Sequence, residues 1–287
     1  MEKEPKVSII LVNYNGYQDT IECLKSLKEL EYHNYEVIIV ENGSKDYEKV
    51  KNDRFLNDNA IVILEKENGG FSAGNNIGIK YALENGTDYV FLLNNDTTIE
   101  KSAIKYLVEI AEDDNKVGIA TGNIYYYSQP DKLWYSNGIY NYKKGATYMV
   151  NEATAEVSFV CGCMMLIKRA TIEEIGMLSD DFFLYSEDTE YDCRAVKAGW
   201  KLKWTPKAKV YHKISASTVE NSDFQQYYMI RNNLVIVKKY GTHKFYGYLY
   251  RLYQSLKAVK NKNCSIKAIW WAYTDFARTR LGKTNRF

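Results

Sequence analysis

Five stretches in the first 126 residues are apolar at almost every position instead of every second one. They lie within KVSIILVNYNG (6–16), YEVIIVENGS (35–44), AIVILEKENGG (60–70), YVFLL (89–93) and VGIATGNIYY (117–126). A run of this kind suits a strand covered on both faces, as in a parallel sheet sandwiched between helices. Between the runs the period changes. Ile21, Leu24, Leu27 and Leu30 recur at helical spacing, a short helix is expected at Asp46–Phe55, a longer one at Ala73–Leu83 and another near 100–112. Strand alternating with helix predicts an α/β fold with a doubly wound, mostly parallel sheet and right-handed crossovers.

Beyond residue 125 the alternation stops. Residues 126–156 are rich in Tyr, Lys and Gly without a clear period and predict short strands and loops; 157–168 reads as a strand. A short helix from Ala170 to Ile175 follows, then the loop SDDFFLYSED, a helix to about Ala198, and the short extended pieces LKWTP and KVYH. From 220 onward the pattern is helical. We therefore expect one domain, residues 1–215, whose first part (about 1–125) is the alternating, Rossmann-like half and whose second part (about 126–215) is less regular, with a C-terminal helical extension at 216–287.

Composition and charge narrow the picture. No stretch approaches the ~20 apolar residues of a membrane-crossing helix, and MEKEPKVSII has no signal-peptide pattern. Five cysteines without CxxC spacing argue against a disulfide framework or a zinc site, so a cytoplasmic location is expected. Residues 1–196 hold 19 Lys and Arg against 33 Asp and Glu, a net of −14; residues 197–287 hold 19 against 3, a net of +16. The basic third could meet an anionic membrane surface or simply balance the acidic part of the chain; no nucleic-acid motif accompanies it.

The strand ends carry the candidate chemistry. In open α/β sheets ligands sit at the carboxyl ends of the strands, where this chain places VNYNG, VENGS and NNDT, followed by the glycine-rich ENGGFSAGNNIG (67–78). A carboxylate such as Asp96 at such an end could carry a divalent cation bound to a diphosphate. Each feature also has a plainer reading. NNDTT suits a turn or helix N-cap, SEDTEYD suits an acidic helix N-terminus, and His212 suits a hydrogen-bonded core histidine. Trp134 suits either packing or the face of a sugar. No GxGxxG follows the first strand, which argues against a dinucleotide fold.

Taken together and in order, these motifs resemble the family 2 glycosyltransferases with a GT-A type fold, over about residues 6–240. The resemblance follows the rhamnosyltransferase-like subset: VNYNG, (D/E)NGS, NGGFSAGNN, LLNND, an apolar run before KR, then FFLYSED, R, GW, P, VYH, ST and a late RNN. It implies a catalytic domain over 1–215 whose first half binds the nucleotide sugar and whose second half binds the acceptor. It implies too that Asn13, Asn15, Glu41 and Asn42 hold the nucleoside, and that Phe71, Gly74 and Asn75 border the nucleotide sugar. Asn94, Asn95 and Asp96 form the strand-end motif, in which Asp96 matches the metal-binding carboxylate and Asn94 replaces the first carboxylate of the usual DxD. His212 matches a histidine that completes the metal shell, for Mg²⁺ or Mn²⁺. Asp188 matches the catalytic base, with Glu187 beside it.

The residue types suit that chemistry. A divalent metal stabilises a departing diphosphate, and one carboxylate can take the proton of an acceptor hydroxyl, which is all that inversion requires. The expectation is an inverting, metal-dependent glycosyltransferase of cell-surface polysaccharide synthesis. Its donor would be a nucleoside diphosphate sugar, by resemblance dTDP-L-rhamnose, and its acceptor a glycan or lipid-linked glycan, reached through peripheral contact with the inner face of the plasma membrane. A UDP-hexose transferase and a non-catalytic nucleotide-sugar-binding subunit are the alternatives. A sugar nucleotidyltransferase would need a basic glycine-rich loop after the first strand, and VNYNGYQD is not basic.

Overall fold

The computed structural model describes residues 4–150, 157–214 and 223–287. The first half alternates as the pattern predicts: β1 (Val7–Asn13), α1 (Tyr17–Leu27), β2 (Tyr35–Asn42), α2 (Tyr47–Asn52), α3 (Arg54–Asn59), β3 (Ile61–Glu65), α4 (Gly70–Glu84), β4 (Tyr89–Leu93), β5 (Thr97–Ile99), α5 (Ala103–Glu112) and β6 (Val117–Tyr126). The second half adds β7 (Gln129–Tyr135), β8 (Asn137–Asn141), β9 (Ala146–Val150), β10 (Met164–Lys168), α6 (Arg169–Ile175), α7 (Glu187–Lys197) and β11 (Lys201–His212). Three helices close the chain: α8 (Asp223–Tyr240), α9 (Lys244–Lys260) and α10 (Ile266–Ala277).

Among the described residues a nine-stranded sheet runs β3-β2-β1-β4-β10-β6-β11-β5, with β7 on β6, while β8 and β9 form a separate hairpin. The pairs β1–β2, β1–β4, β2–β3 and β6–β11 are parallel; β10 lies antiparallel between β4 and β6, and β5 is antiparallel to β11. The chain winds outward from β1 through β2 and β3, then returns to place β4 on the other side of β1. The crevice between β1 and β4 is therefore the switch point at which such sheets bind ligands. Val7, Ile9, Ile10 and Leu11 are completely buried, as the unbroken apolar runs require. Helix α4 lies unusually close to β1: a β-carbon on Gly74 would come within 2.8 Å of Val12 Cγ1, and one on Gly78 within 2.6 Å of Ile10 Cγ2. Its glycines, four residues apart, form the flat stripe that permits this approach.

Several boundaries differ from the pattern. The helix expected at 46–55 breaks into α2 and α3 because Asp53, in extended conformation, accepts a hydrogen bond from Leu56 N at 2.7 Å and starts a new helix. The strand expected at 157–168 is confined to Met164–Lys168. Upstream, backbone N–H groups that a ladder would use go to carboxylates of α7: Val160 N donates to Asp192 at 2.6 Å and Gly162 N to Asp188 at 3.1 Å. LKWTP and KVYH are one strand, β11, whose register on β6 shifts between Trp204 and Lys209. Pro206 falls in that irregularity, where its missing N–H does not interrupt the pairing.

The closing helices pack against the loop that leads into α7. Phe183, Tyr227, Tyr228, Ile230, Leu234, Ile269 and Ala272 share one buried cluster. Arg231, 1% exposed, lies beneath the aromatic rings of Tyr227 and Tyr228 and donates to the carbonyl of Gly282 at 2.9 Å. Among the described residues the five cysteines are all free thiols, and no helix is long and apolar enough to cross a membrane.

Candidate functional site

The carboxyl end of β1 is tied to its neighbours through side chains. Asn13 Nδ2 donates to Glu41 Oε2, and Thr20 Oγ1 donates to Asn13 Oδ1 at 2.8 Å. The other Glu41 oxygen accepts from Ser44 N at 2.7 Å, which closes the ENGS turn on itself. Asn15 takes a left-handed backbone (φ 57°) and accepts from Lys45 N at 3.0 Å, joining the VNYNG and ENGS turns. Asn95 donates to Thr20 Oγ1 at 2.8 Å from the end of β4. Asn13, Asn15, Glu41 and Asn95 thus converge at the β1/β4 crevice, with much of their hydrogen bonding committed to shaping it.

Asn42 acts on the glycine loop. It donates to Gly70 O at 3.0 Å and accepts from Gly69 N at 3.1 Å, so it holds the entry of α4 against β2. Asn75, almost fully buried, donates to Phe71 O at 2.9 Å. Phe71 N donates to Phe183 O at 2.8 Å, which brings the glycine loop against the loop that leads to Glu187 and Asp188.

After β4 the chain turns sharply, and Thr97 Oγ1 donates to Asn94 O at 2.7 Å. The turn places Asp96 Oδ1 3.0 Å from His212 Nε2 at the end of β11, although the two residues are far apart in sequence. Asn94 Nδ2 lies 3.4 Å from the same ring nitrogen. His212 is buried, its Nδ1 has no hydrogen-bond partner, and Trp134 meets its ring edge-on at 4.7 Å. Trp134 is therefore packing on the histidine. A carboxylate oxygen and an imidazole nitrogen side by side fit Mg²⁺ or Mn²⁺ in the chemistry of their donors. Among the described residues no three His, Cys, Asp or Glu are grouped to hold a metal ion, so such a cation would complete its shell with substrate and water.

Glu187 and Asp188 open α7. The two residues before the helix end its approach in left-handed conformations, Tyr185 at φ 66° and Ser186 at φ 67°. Two strained residues in succession need external support. Asn232 on α8 supplies it, donating to Leu184 O at 3.0 Å and to Tyr185 O at 2.7 Å. Asp188 accepts from Gly162 N at 3.1 Å and Thr189 N at 2.6 Å. Burial raises the Asp188 carboxyl above its ordinary value, and those N–H donors pull it back. Glu187 is pushed up to about 8, first by burial and then by the charge of Asp188, and its Oε2 lacks a partner. Burial and the charge of Asp188 favour the protonated form of Glu187, while the N–H donors on Asp188 favour its charged form, which suits Asp188 to accept a proton.

One short segment joins the two acidic motifs. Gly162 N donates to Asp188, and the next carbonyl, Cys163 O, accepts from Asn94 N at 3.0 Å. A β-carbon on Gly162 would lie 3.4 Å from Asp188 Cβ and 3.5 Å from the Phe71 ring, so glycine loop, bridge and carboxylate meet here. Beside Asp188 opens a cavity of about 530 Å³, lined among others by Tyr148, Tyr185, Asn233, Tyr250, Arg251 and Gln254. Sequence reasoning assigned no role to Gly162, to Asn232 or to Lys283, whose ammonium donates to Asn68 O at 2.9 Å in the glycine loop. The only signal available for Asn232 was its place in the RNN motif.

The family model for "Glycosyl transferase family 2" matches residues 8–176. Among curated relatives, the poly-beta-1,6-N-acetyl-D-glucosamine synthase of Staphylococcus aureus is 26% identical over 204 residues, covering 70% of this chain and 48% of its own length. The chain thus spans about half the length of that synthase. A dTDP-rhamnosyl transferase of Shigella flexneri, RfbF, is 25% identical over 251 residues, covering 80% of this chain and 79% of its own. Among solved structures, GalNAc-T7 with UDP, GalNAc and Mn²⁺ superposes with a TM-score of 0.70 at 16% identity, over 98% of this chain and 58% of that one. The mannosyltransferase PcManGT of Pyrobaculum calidifontis, in complex with GDP-Man and Mn²⁺, gives 0.63 at 16% identity, over 97% and 81%. The fold is of the GT-A type.

Proposed function

The chain belongs to glycosyl transferase family 2, and within that family we propose that it is an inverting, metal-assisted transferase that moves a sugar from a nucleoside diphosphate to a glycan or lipid-linked glycan. The observation that supports this reading is the bridge of Gly162 and Cys163, which links Asp188 by hydrogen bonds to Asn94, two residues from Asp96. Asn13, Glu41 and Asn42 shape the crevice for the nucleoside, while Phe71 and Asn75 border the sugar. Asp96 and His212 would hold the cation, which when bound offsets the charge of the departing diphosphate. Asp188, whose charged form is favoured by the N–H groups of Gly162 and Thr189, takes the acceptor proton. The cavity next to it is the place for the acceptor. A non-catalytic nucleotide-sugar-binding subunit would have no need of Asp96, His212 and Asp188 together.

For the donor we propose dTDP-L-rhamnose. In support, the rhamnosyl transferase relative matches this chain over most of both lengths. A UDP-hexose or UDP-N-acetylhexosamine donor is the second reading, supported by the similarity to the N-acetylglucosamine synthase. The test is a panel of dTDP-rhamnose, UDP-glucose, UDP-galactose, UDP-N-acetylglucosamine and GDP-mannose, each assayed for binding and for hydrolysis with Mn²⁺ and with chelator. Mn²⁺-dependent turnover of one donor is the expected result. Failure to bind any of the five would overturn the reading, and preferential turnover of a UDP sugar would replace rhamnose.

A further inference from the structure

Helix α9 has two unlike faces. Tyr250, Arg251 and Gln254 line the cavity beside Asp188, and Gly247 abuts α8, where an added β-carbon would come within 2.9 Å of Val237 Cγ1. The opposite face carries Phe245, Leu249, Leu252 and Leu256. These follow one another at i, i+4, i+7 and i+11, a single stripe along the helix. Their exposure runs from 40% at Leu252 to 78% at Phe245, and Tyr246 and Tyr253 beside them are 41% and 60% exposed. Isolated exposed leucines are ordinary on a protein surface, but an ordered stripe of large apolar side chains is not. The stripe continues in kind on α10, which contacts α9 and exposes Ile266 and Trp270, four residues apart.

The charges around the stripe are of one sign. Residues 224–274 contain nine Lys and Arg and no Asp or Glu. Lys244, Lys257, Lys260, Lys262 and Lys267 are all exposed on or between α9 and α10. The tip of the β8–β9 hairpin adds two more cations: Lys143 lies 5.3 Å over the Tyr246 ring, and Lys144 lies 5.6 Å over Tyr250. A water-exposed Leu and Phe stripe bordered by Lys, Tyr and Trp matches the layered chemistry of a bilayer surface. Apolar side chains enter the acyl boundary, amphipathic rings sit at the headgroups, and ammonium groups meet lipid phosphates. A second protein with a matching face would need acidic residues against these lysines, and a second copy of this chain would oppose basic residues to basic ones.

We propose that the exposed face of α9, extended by Ile266 and Trp270 of α10, is a docking surface for an anionic membrane, on which the chain lies peripherally. Because α9 is also a wall of the cavity, docking would set the mouth of that cavity within about one helix diameter, ~10–12 Å, of the lipid headgroups. This inference goes beyond the transfer reading and does not depend on it, since docking is measured without donor or acceptor.

The experiment is sedimentation of the full chain with vesicles of phosphatidylglycerol and phosphatidylcholine, and with phosphatidylcholine alone. We expect the protein in the pellet with the anionic vesicles at low salt. It should return to the supernatant as salt rises to roughly 1 M, where the screening length falls to ~3 Å. The double substitution Phe245→Ser and Leu249→Ser should lower the partition coefficient by more than about tenfold. Lys260→Glu with Lys267→Glu should lower it by about 25-fold or more, at about fivefold per lost cation. All four positions are exposed, so unchanged circular dichroism and melting would certify the fold of the variants. Recovery in the supernatant with both vesicle types at low salt would overturn the proposal, as would equal binding to neutral vesicles. A dimer in solution that the Phe245 and Leu249 substitutions convert to monomer, with no vesicle binding, would assign the face to a second copy instead.

Discussion

Replacing Gly70 by Ala should damage this protein in a way that replacing Gly86 by Ala does not, and the difference measures the contact between the glycine-rich loop and the loop that leads into α7. Both glycines have left-handed backbones, φ +87° and +74°. An L residue in that region costs about 1–2 kcal/mol, so both substitutions carry that strain. Gly86, beyond the end of α4, has nothing within 4 Å of an added β-carbon. Gly70 faces Phe183, whose carbonyl oxygen would lie 2.1 Å from the new carbon and whose ring would lie 2.6 Å away. The oxygen belongs to backbone that also accepts from Phe71 N, so it cannot swing aside without breaking that bond. Relief of such overpacking costs about 1–3 kcal/mol more, giving roughly 2–5 kcal/mol for Gly70→Ala against 1–2 for Gly86→Ala. At about 2–4 °C per kcal/mol for chains of this size, the Gly70 variant should melt about 4–20 °C below wild type and the Gly86 variant about 2–8 °C below, with the Gly70 shift the larger of the two. Scanning calorimetry reads the first difference. Donor titration reads the second, because the loop moved in Gly70→Ala should weaken donor binding while Gly86→Ala leaves it at the wild-type value. Equal melting shifts for the two variants, or wild-type donor affinity and turnover in Gly70→Ala, would refute the contact as drawn.

Asp188→Asn keeps the shape of the side chain but removes its basicity, so transfer should fall by about 10²-fold or more while donor binding persists; near-normal turnover would move the base elsewhere, with Glu187 the first candidate. Asp96→Ala and His212→Ala should each raise the Mn²⁺ concentration needed for half-maximal rate, an expectation that full wild-type activity in excess chelator would defeat. Glu187, raised from 4.5 to about 8, keeps in the folded protein a proton that the unfolded chain releases. Its stabilising contribution is therefore complete below about 4.5 and is lost as pH rises through about 8. Urea midpoints should show wild type losing stability relative to Glu187→Gln between about pH 4.5 and about pH 8 and running parallel to it above that, and curves parallel throughout would show that Glu187 is not buried as a neutral acid.

What was legible in the sequence was what repeats or what bears a side chain. Val7–Val12, Tyr89–Leu93 and Val117–Ile119 announced buried parallel strands because burial on both faces leaves almost no polar position in the run, Ser8 excepted. Ile21, Leu24 and Leu27 announced α1 because one face of that helix meets the core, where Leu24 and Leu27 are buried. The structure also brings Asp96 and His212, far apart in the chain, to within 3.0 Å of each other. The segment 157–163 was misread for a physical reason. Its apolar side chains are indeed buried in part, yet Val160 N and Gly162 N bond to Asp192 and Asp188 instead of to a neighbouring strand. Hydrophobic pattern reports where side chains go and is silent about where the N–H groups go. The same silence hid Asn232, whose effect is exerted on the carbonyls of Leu184 and Tyr185.

The antiparallel strand β10 explains why one site can hold both acidic motifs. A parallel strand in that place would bring its carboxyl end to the crevice and carry its amino end to the far edge of the sheet. Because β10 runs the other way, Met164 pairs with Leu93, the last residue of β4, and the residues just before Met164 lie beside Asn94. The turn at Cys161, Gly162 and Cys163 is thus delivered to the same edge as Asp96. From there a single backbone step reaches both ways, the Gly162 N–H to Asp188 and the Cys163 carbonyl to Asn94. A β-carbon on Gly162 would sit at ordinary contact distance from Asp188 Cβ and from the Phe71 ring, at 3.4 and 3.5 Å, so this step lies directly against both. Reversal of one strand therefore brings the end of β4 and the start of α7 to one edge of the sheet, and the groups of Gly162 and Cys163 that make the connection are main-chain atoms.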